Sequence, residues 1–396
     1  MAASDQMAVS GTIRATDEPC IVKMNRILEG SEDVASLAQG VTYWNPPEAC
    51  MAAATAAIGQ METNRYNRVE GVPELTAALT RKLEADNKLH NQGVMVTMGA
   101  NQAFMNVLLT LCEPGDEVML FLPYYFNHHM ALQMTGMKCR KVARRPDTFE
   151  LDMDAIKQHV SECKMVVLVN PCNPSGAVTD AETLNTLSEL CRQHNTYLVV
   201  DNTYEDFIWD DAAKHTCIQG PHVLNIFSFS KAYGLMGWRV GYIAYELNSP
   251  ELAQSLLKVQ DTIPICPCII SQRAAVAALE QGSTWVAERV ATLAANRQAV
   301  LDALATVDGC QVLGQAQGAI YIMVRLPVDD DMQAVEWLAR QHHVAVIPGS
   351  ACGARGHIRV AFANLDIDQC MAATARLVTG LQELQTHGST AFSRSS

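Results

Sequence analysis

From about residue 93 the chain alternates short apolar runs with longer stretches of helical spacing. Val94–Met98, Val118–Leu122, Met165–Val169, Tyr197–Val200 and Val223–Phe227 are each mostly apolar, with no regular polar alternate. Runs of this length, rich in valine and leucine, predict strands covered on both faces. Between them, Asn101–Leu111 reads as a buried helix and Glu113-Pro114-Gly115-Asp116 as a turn. Thr179-x-x-Glu182 reads as a capping box opening a helix to about His194. Strands alternating with helices predict an α/β fold on a mostly parallel sheet.

Past about residue 282 the pattern changes. A helix over about Ser283 to Thr306 leads to the run Ala319–Leu326, a second helix, the run His357–Phe362 and a final helix. This predicts a smaller α+β unit. The first 45 residues lack sheet-like runs and are expected to pack on it. The expected division is 46–285 for a large domain, and 1–45 with 286–396 for a discontinuous small one. Thr386–Ser396 reads as a frayed tail.

Composition narrows the partners. The formal charge of −13 over 396 residues disfavours nucleic acid or an anionic membrane. An anionic substrate would have to be held by local arginines. Thirteen cysteines without a disulfide framework fit a reducing compartment, with most of them acting as small buried residues. Cys266-Pro267-Cys268 has the wrong spacing for a zinc knuckle and is expected to line a pocket. His128-His129 and His342-His343 read as surface pairs, so no metal is expected. No run of about 18 apolar residues predicts a membrane span. Asp5, Asp17 and Glu18 argue against a transit peptide, so the expected location is cytoplasmic.

In open α/β sheets, ligands bind beyond the carboxyl ends of the strands. Polar groups collect at those ends here. Asp201 follows Tyr197–Val200, with Tyr204 one turn on. Asn170-Pro171-Cys172-Asn173-Pro174-Ser175-Gly176 follows Met165–Val169, and Gly99-Ala100-Asn101 follows Val94–Met98. Ser228-Phe229-Ser230-Lys231 ends Val223–Phe227 and leads to Gly237-Trp238-Arg239-Val240-Gly241. A lysine amine among hydroxyls and a guanidinium has the parts to hold an aldehyde cofactor bearing a phosphate, namely pyridoxal phosphate. Asp201 suits a protonated pyridine nitrogen. Tyr204 and Asn173 suit the ring's phenolic oxygen. Ala100 and Asn101 at a helix start, with Ser228 and Arg239, suit the phosphate. Tyr125 is placed to stack on the ring.

Taken together these motifs resemble the class I/II aminotransferases of fold type I. The matching stretches are Tyr66…Gly71-Val72-Pro73-Glu74-Leu75, Gly99-Ala100-Asn101, Pro123-Tyr124-Tyr125, Asn170-Pro171-x-Asn173-Pro174-x-Gly176, Asp201-x-x-Tyr204, Ser228-x-Ser230-Lys231…Gly237-x-Arg239-x-Gly241 and His357-Ile358-Arg359-Val360-Ala361-Phe362. They cover roughly residues 35 to 385, in family order. Within the family, Gly99-Ala100-Asn101-Gln102-Ala103-Phe104, Pro123-Tyr124-Tyr125-Phe126-Asn127, Asp201-Asn202-Thr203-Tyr204-Glu205 and Ile263-Pro264-Ile265-Cys266 resemble plant enzymes that transaminate aromatic 2-oxo acids with methionine as donor.

The resemblance implies a large domain with a mostly parallel seven-stranded sheet, a smaller α+β domain and a homodimer with its site at the subunit interface. Lys231 would carry the cofactor and move the substrate proton. Ser230 belongs to the cofactor motif. Arg359 would clamp the substrate carboxylate bidentately, and Asn173 would contact both carboxylate and cofactor. Tyr66 would reach the partner's phosphate, and Gly40 would lie at the substrate mouth. Pro174 and Pro123 would follow cis bonds. Dicarboxylate-specific relatives carry a lysine at the position of Asn101, or an arginine in the region of Ile263–Cys268; this chain has neither, which favours methionine or aromatic substrates. A carbon–sulfur lyase or aminocyclopropane-carboxylate synthase on the same fold would share nearly every motif. A non-catalytic regulatory relative would be expected to append a DNA-binding segment.

Overall fold

The computed structural model describes residues 8–31, 33–210 and 213–393. Its main sheet has seven strands: β1 (Gln92–Thr97), β2 (Glu117–Leu122), β3 (Lys138–Ala143), β4 (Met165–Val169), β5 (Tyr197–Asp201), β6 (Val223–Ser228) and β7 (Gly241–Glu246). Their order is β1-β7-β6-β5-β4-β2-β3. β7 runs antiparallel to both neighbours, and the other pairings are parallel. The five expected runs are all strands. β3 and β7 escaped the pattern. β3 is an edge strand with a polar, half-exposed sequence, while Gly241 and two tyrosines disguise β7.

Every residue of β1 is buried, and β4 to β7 are buried over almost their whole length, so helices must cover both sheet faces. On one side lies Ala100–Leu111, burying Ala103, Phe104 and Val107. On another lies Ala181–Gln193, burying Leu184, Leu187 and Cys191. The cap of the latter is Asp180, whose carboxylate accepts from Thr183 N at 2.8 Å, rather than the expected Thr179. Thr179 is taken up by Asn170, which bonds its backbone N–H and carbonyl.

A second sheet joins β8 (Gln311–Val312), β9 (Tyr321–Arg325), β10 (Ile347–Pro348) and β11 (His357–Ala361) in the order β10-β11-β9-β8. The expected long helix before it is broken at Thr292 into Gly282–Ala291 and Leu293–Leu304. Near the N-terminus, Ala35–Ser36 pairs in parallel with Val344–Ala345, a two-residue strand that periodicity could not reveal. Cys20–Leu28 packs on the helix Asp331–Gln341. Gly11–Ala15 instead packs on Phe126–Thr135, a helix of the seven-stranded layer. The tail is ordered further than expected. The final helix runs to His387, a 3₁₀ turn covers Gly388–Ser393, and Phe392 packs edge-on against Trp337. Residues 394–396 lie outside the described residues.

Candidate active site

The register of the sheet brings the candidate residues together. Val169 at the end of β4 lies beside Asp201 at the end of β5. Ser228, the last residue of β6, pairs with Gly241, which pairs in turn with Thr97 at the end of β1. These ends open on a cavity of about 240 Å³. Gly40, Ala100, Asn101, Tyr125, Asn173, Asp201, Tyr204, Ser228, Ser230, Lys231, Arg239 and Arg359 all line it.

Lys231 stands on the turn after β6. Ser228 Oγ accepts from Ser230 N at 3.1 Å. Thr42 Oγ1 and Trp44 Nε1 donate to the carbonyls of Lys231 and Ala232. The lysine Nζ donates to the carbonyl of Gly40. Burial, then the positive charges of Arg359 and Arg239, lower its pKa to about 8.

Asp201 is held on both oxygens. Oδ1 accepts from Thr203 N at 3.0 Å and Thr203 Oγ1 at 2.6 Å, and Oδ2 lies 3.3 Å from His128 Nε2. His128 is buried between Phe104 and the edge of Tyr125, and His129 is buried against Tyr124. This corrects the expectation of a surface pair. The carboxylate partner of His128 is remote in sequence, so no local spacing could have flagged it.

One end of the cavity is cationic. Arg239 adopts a left-handed conformation, φ 54°, which returns its guanidinium to Met236 O and Met98 O. Gly99, with φ +85°, gives it room: a Cβ there would lie 2.4 Å from Arg239 Nη2. A Cβ on Gly241 would lie 2.8 Å from Ala100 N, at the start of the helix Ala100–Leu111. Two missing side chains thus expose a helix N-terminus beside a guanidinium, a setting that suits a phosphate.

At the other end, Arg359 on β11 is buried. Its Nη1 donates to Asn173 Oδ1 at 3.0 Å and its Nη2 to Ala38 O at 2.8 Å, while its Nε is buried without a partner. The Tyr321 ring lies 4.3 Å from the guanidinium, and the Tyr321 and Tyr204 hydroxyls are 2.6 Å apart. Tyr125 OH accepts from Asn127 Nδ2 at 2.9 Å and lies 3.4 Å from Asn101 Oδ1. Burial first, then Tyr321 and Asp201, push its phenol up to about 12.

Tyr66 is 81% exposed and does not line the cavity of its own chain. Cys266 and Cys268 do not line it either, contrary to expectation. Tyr321, Ile21, Phe126 and Asn127 do, and strand or helix patterning gave no sign of it. Cis bonds precede Pro123 and Pro174, as the resemblance implied, and also Pro171. Among the described residues, Glu205, His215 and Cys217 bring metal-type ligand atoms within 4.8 Å of one another, but Glu205 is already bonded to Lys82 Nζ at 2.7 Å.

A half-buried lysine facing a carboxylate, three phenols and two guanidiniums, on the carboxyl edge of a mixed seven-stranded sheet, defines a fold type I transferase. The chain belongs to the aminotransferase class I and II family, whose model matches residues 32–377. Members of this family are generally pyridoxal-phosphate dependent, and the chain is an aminotransferase. It is 45% identical over 380 residues to the aromatic aminotransferase ISS1 of Arabidopsis thaliana, covering 94% of this chain and 96% of that one. It is 29% identical to an aspartate aminotransferase of Pyrococcus abyssi, over 90% of this chain and 94% of the other. Among solved structures, the Thermus thermophilus aspartate aminotransferase with maleate superposes with a TM-score of 0.87 at 27% identity, covering 95% of this chain and all of the other. The aromatic aminotransferase of Pyrococcus horikoshii gives 0.81 at 28%, covering 91% and 99%. No helix among the described residues is long and apolar enough to cross a membrane.

Proposed function

We propose that this aminotransferase binds pyridoxal phosphate through Lys231 and moves amino groups between aromatic amino acids or methionine and 2-oxo acids. The observation that carries the cofactor assignment is the match of donor sets to ligand parts. Arg239, Ser228 and the helix start at Ala100 suit the phosphate. Asp201, backed by His128, suits a protonated ring nitrogen. Tyr204 and Asn173 suit the phenolic oxygen, and the Tyr125 ring suits the pyridine face. The unpartnered Nε of Arg359 supports a substrate carboxylate as its missing acceptor.

When bound, the cofactor supplies an electron sink for the charge left at the substrate Cα. The chain's own residues do the rest. Arg359 and Asn173 orient the substrate through its carboxylate. Lys231 Nζ holds the cofactor and, once released, takes the Cα proton. Its lowered pKa favours the neutral amine that both tasks need. Burial around Tyr125 and Tyr321 keeps water from that proton. One site serves both half-reactions, so the kinetics are ping-pong.

The aromatic or methionine preference draws on the Arabidopsis relative's name and on the cavity lining. Ile21, Val41 and Phe126 give an apolar wall, the neutral amides Asn101 and Asn127 also line the cavity, and Asn101 stands where dicarboxylate-specific relatives carry a lysine. A homodimer is supported by exposed apolar residues on segments packed side by side. Met51 and Ile58 on the helix Glu48–Ile58 are exposed, as are Met61, Tyr66, Ile263 and Ile265, and that helix packs along Ile269–Glu280, which also contacts Met61–Asn64. Tyr66 then serves the partner's phosphate site. The two-domain division at 45/46 and 285/286 belongs to the same reading. Thirteen free cysteines, most of them buried, fit the reducing cytoplasm.

The test is a donor panel of methionine, aromatic amino acids, aspartate, glutamate and alanine against several 2-oxo acids. Methionine or an aromatic amino acid should lead in kcat/KM; aspartate leading would overturn the substrate reading. Lys231→Ala should abolish turnover and the borohydride-sensitive visible band. Multiple turnovers by that variant would refute the role of Lys231.

A further inference from the structure

We infer that Tyr321 is a positioning residue that couples the two halves of the site, its hydroxyl tuning Tyr204 and its ring seating Arg359. This rests on the proposed function. Tyr321 is 2% exposed, on a strand of the second sheet, yet it reaches the cavity formed by the first. Its hydroxyl lies 2.6 Å from that of Tyr204, and its ring lies 4.3 Å from the Arg359 guanidinium. The space it occupies is made by a missing side chain: a Cβ on Gly40 would lie 1.8 Å from the Tyr321 hydroxyl. The carbonyl of that same Gly40 accepts from Lys231 Nζ. One tyrosine therefore touches, directly or through one residue, the ring-oxygen ligand, the carboxylate clamp and the lysine.

The direction of the hydroxyl pair decides its effect. Either hydroxyl can be the donor in the free pair; with the Tyr204 hydrogen given to the cofactor's phenolic oxygen, as the proposed function has it, the Tyr321 hydrogen goes to Tyr204 O. A donor that itself accepts a hydrogen bond is a stronger donor. The phenolate is then better stabilised, and the linked Lys231 nitrogen is less basic. The charged and titratable groups around this pair are Arg359 and Tyr125 near Tyr204, and Arg359 and Cys352 near Tyr321. Arg359 and Arg239 face Lys231. The cations remain in any variant of Tyr321, so a change in the titration reports the hydroxyl.

The two contacts can be separated. Tyr321→Phe removes the hydroxyl and keeps the ring under Arg359. In the holoenzyme it should raise the pH midpoint of the visible band by roughly 0.3 to 1 unit and lower kcat several-fold. The amino-acid KM should stay within about twofold, because the ring contact survives. Tyr321→Leu removes both contacts and should add a KM increase of about tenfold. In a Tyr204→Phe background, Tyr321→Phe should shift the midpoint no further. An unmoved midpoint in Tyr321→Phe, or equal KM values for the Phe and Leu variants, would overturn the inference. Should the wild-type protein lack a borohydride-sensitive band altogether, the proposed function fails instead. A normal band that ignores Tyr321→Phe sinks only the role of Tyr321.

Discussion

The lowered pKa of Lys231 can be tested without the cofactor's own titrations interfering. With a midpoint of about 8, roughly a tenth of the lysine is neutral at pH 7; an ordinary lysine, near 10.4, is neutral in about one molecule in 2,500. Cofactor-free protein would be labelled with trace acetic anhydride between pH 6 and 11, and acetylation of Lys231 followed by peptide mass spectrometry. Labelling should rise about tenfold per unit up to near pH 8 and then level off, while surface lysines keep rising for about two further units. Burial is the first cause of the shift and the Arg359 charge the second. Arg359→Met should therefore move the midpoint up, yet leave it below that of a surface lysine. The sign follows because removing a nearby positive charge makes protonation of the amine easier. A Lys231 profile that coincides with surface lysines, or a midpoint that falls in Arg359→Met, would refute the electrostatic account.

Three further outcomes follow from the geometry. Arg359→Lys keeps the charge but loses the planar fork and the bonds to Asn173 and Ala38, so the amino-acid KM should rise about 10- to 100-fold; steady-state kinetics check this. Gly99→Ala puts a Cβ 2.4 Å from Arg239 Nη2 at φ +85°, and should weaken pyridoxal-phosphate binding by about tenfold or more in a fluorescence titration. His128→Phe takes the partner from Asp201 Oδ2, leaving a carboxylate oxygen buried and unpaired. It should cost about 1–3 kcal/mol, read as a lower midpoint in chemical denaturation, and speed cofactor loss on dialysis.

Much of this site was legible in the chain because its chemistry is carried on strand ends. Each strand is a continuous apolar run, and the residue that stops the run sits at the sheet edge. Asp201, Asn173, Ser228 and Lys231 were all read in this way, and all four line the cavity. The misses share a physical cause. His128 lies on a helix and matters because of Asp201, which folding delivers from 73 positions away. Tyr321 is one apolar residue in an apolar strand, and only the meeting of the two sheets gives its hydroxyl a partner. Thr179 carried a sound capping pattern and lost it to Asp180 once Asn170 had claimed its backbone.

The sequence by itself determined most of the elements, the strand ends that bear the candidate site and the lysine on which the reading turns. Hydrophobic periodicity and turn chemistry are local, and they act over spacings the chain displays. Tertiary structure alone decided the environment of those groups. It set the pKa of Lys231 through burial and two arginines, the cradle at Gly99 and Gly241 through close approach, and the seat of Arg359 through Tyr321 and Asn173. Each of these depends on distances between residues far apart in the chain, and electrostatic and packing energies follow distance in space.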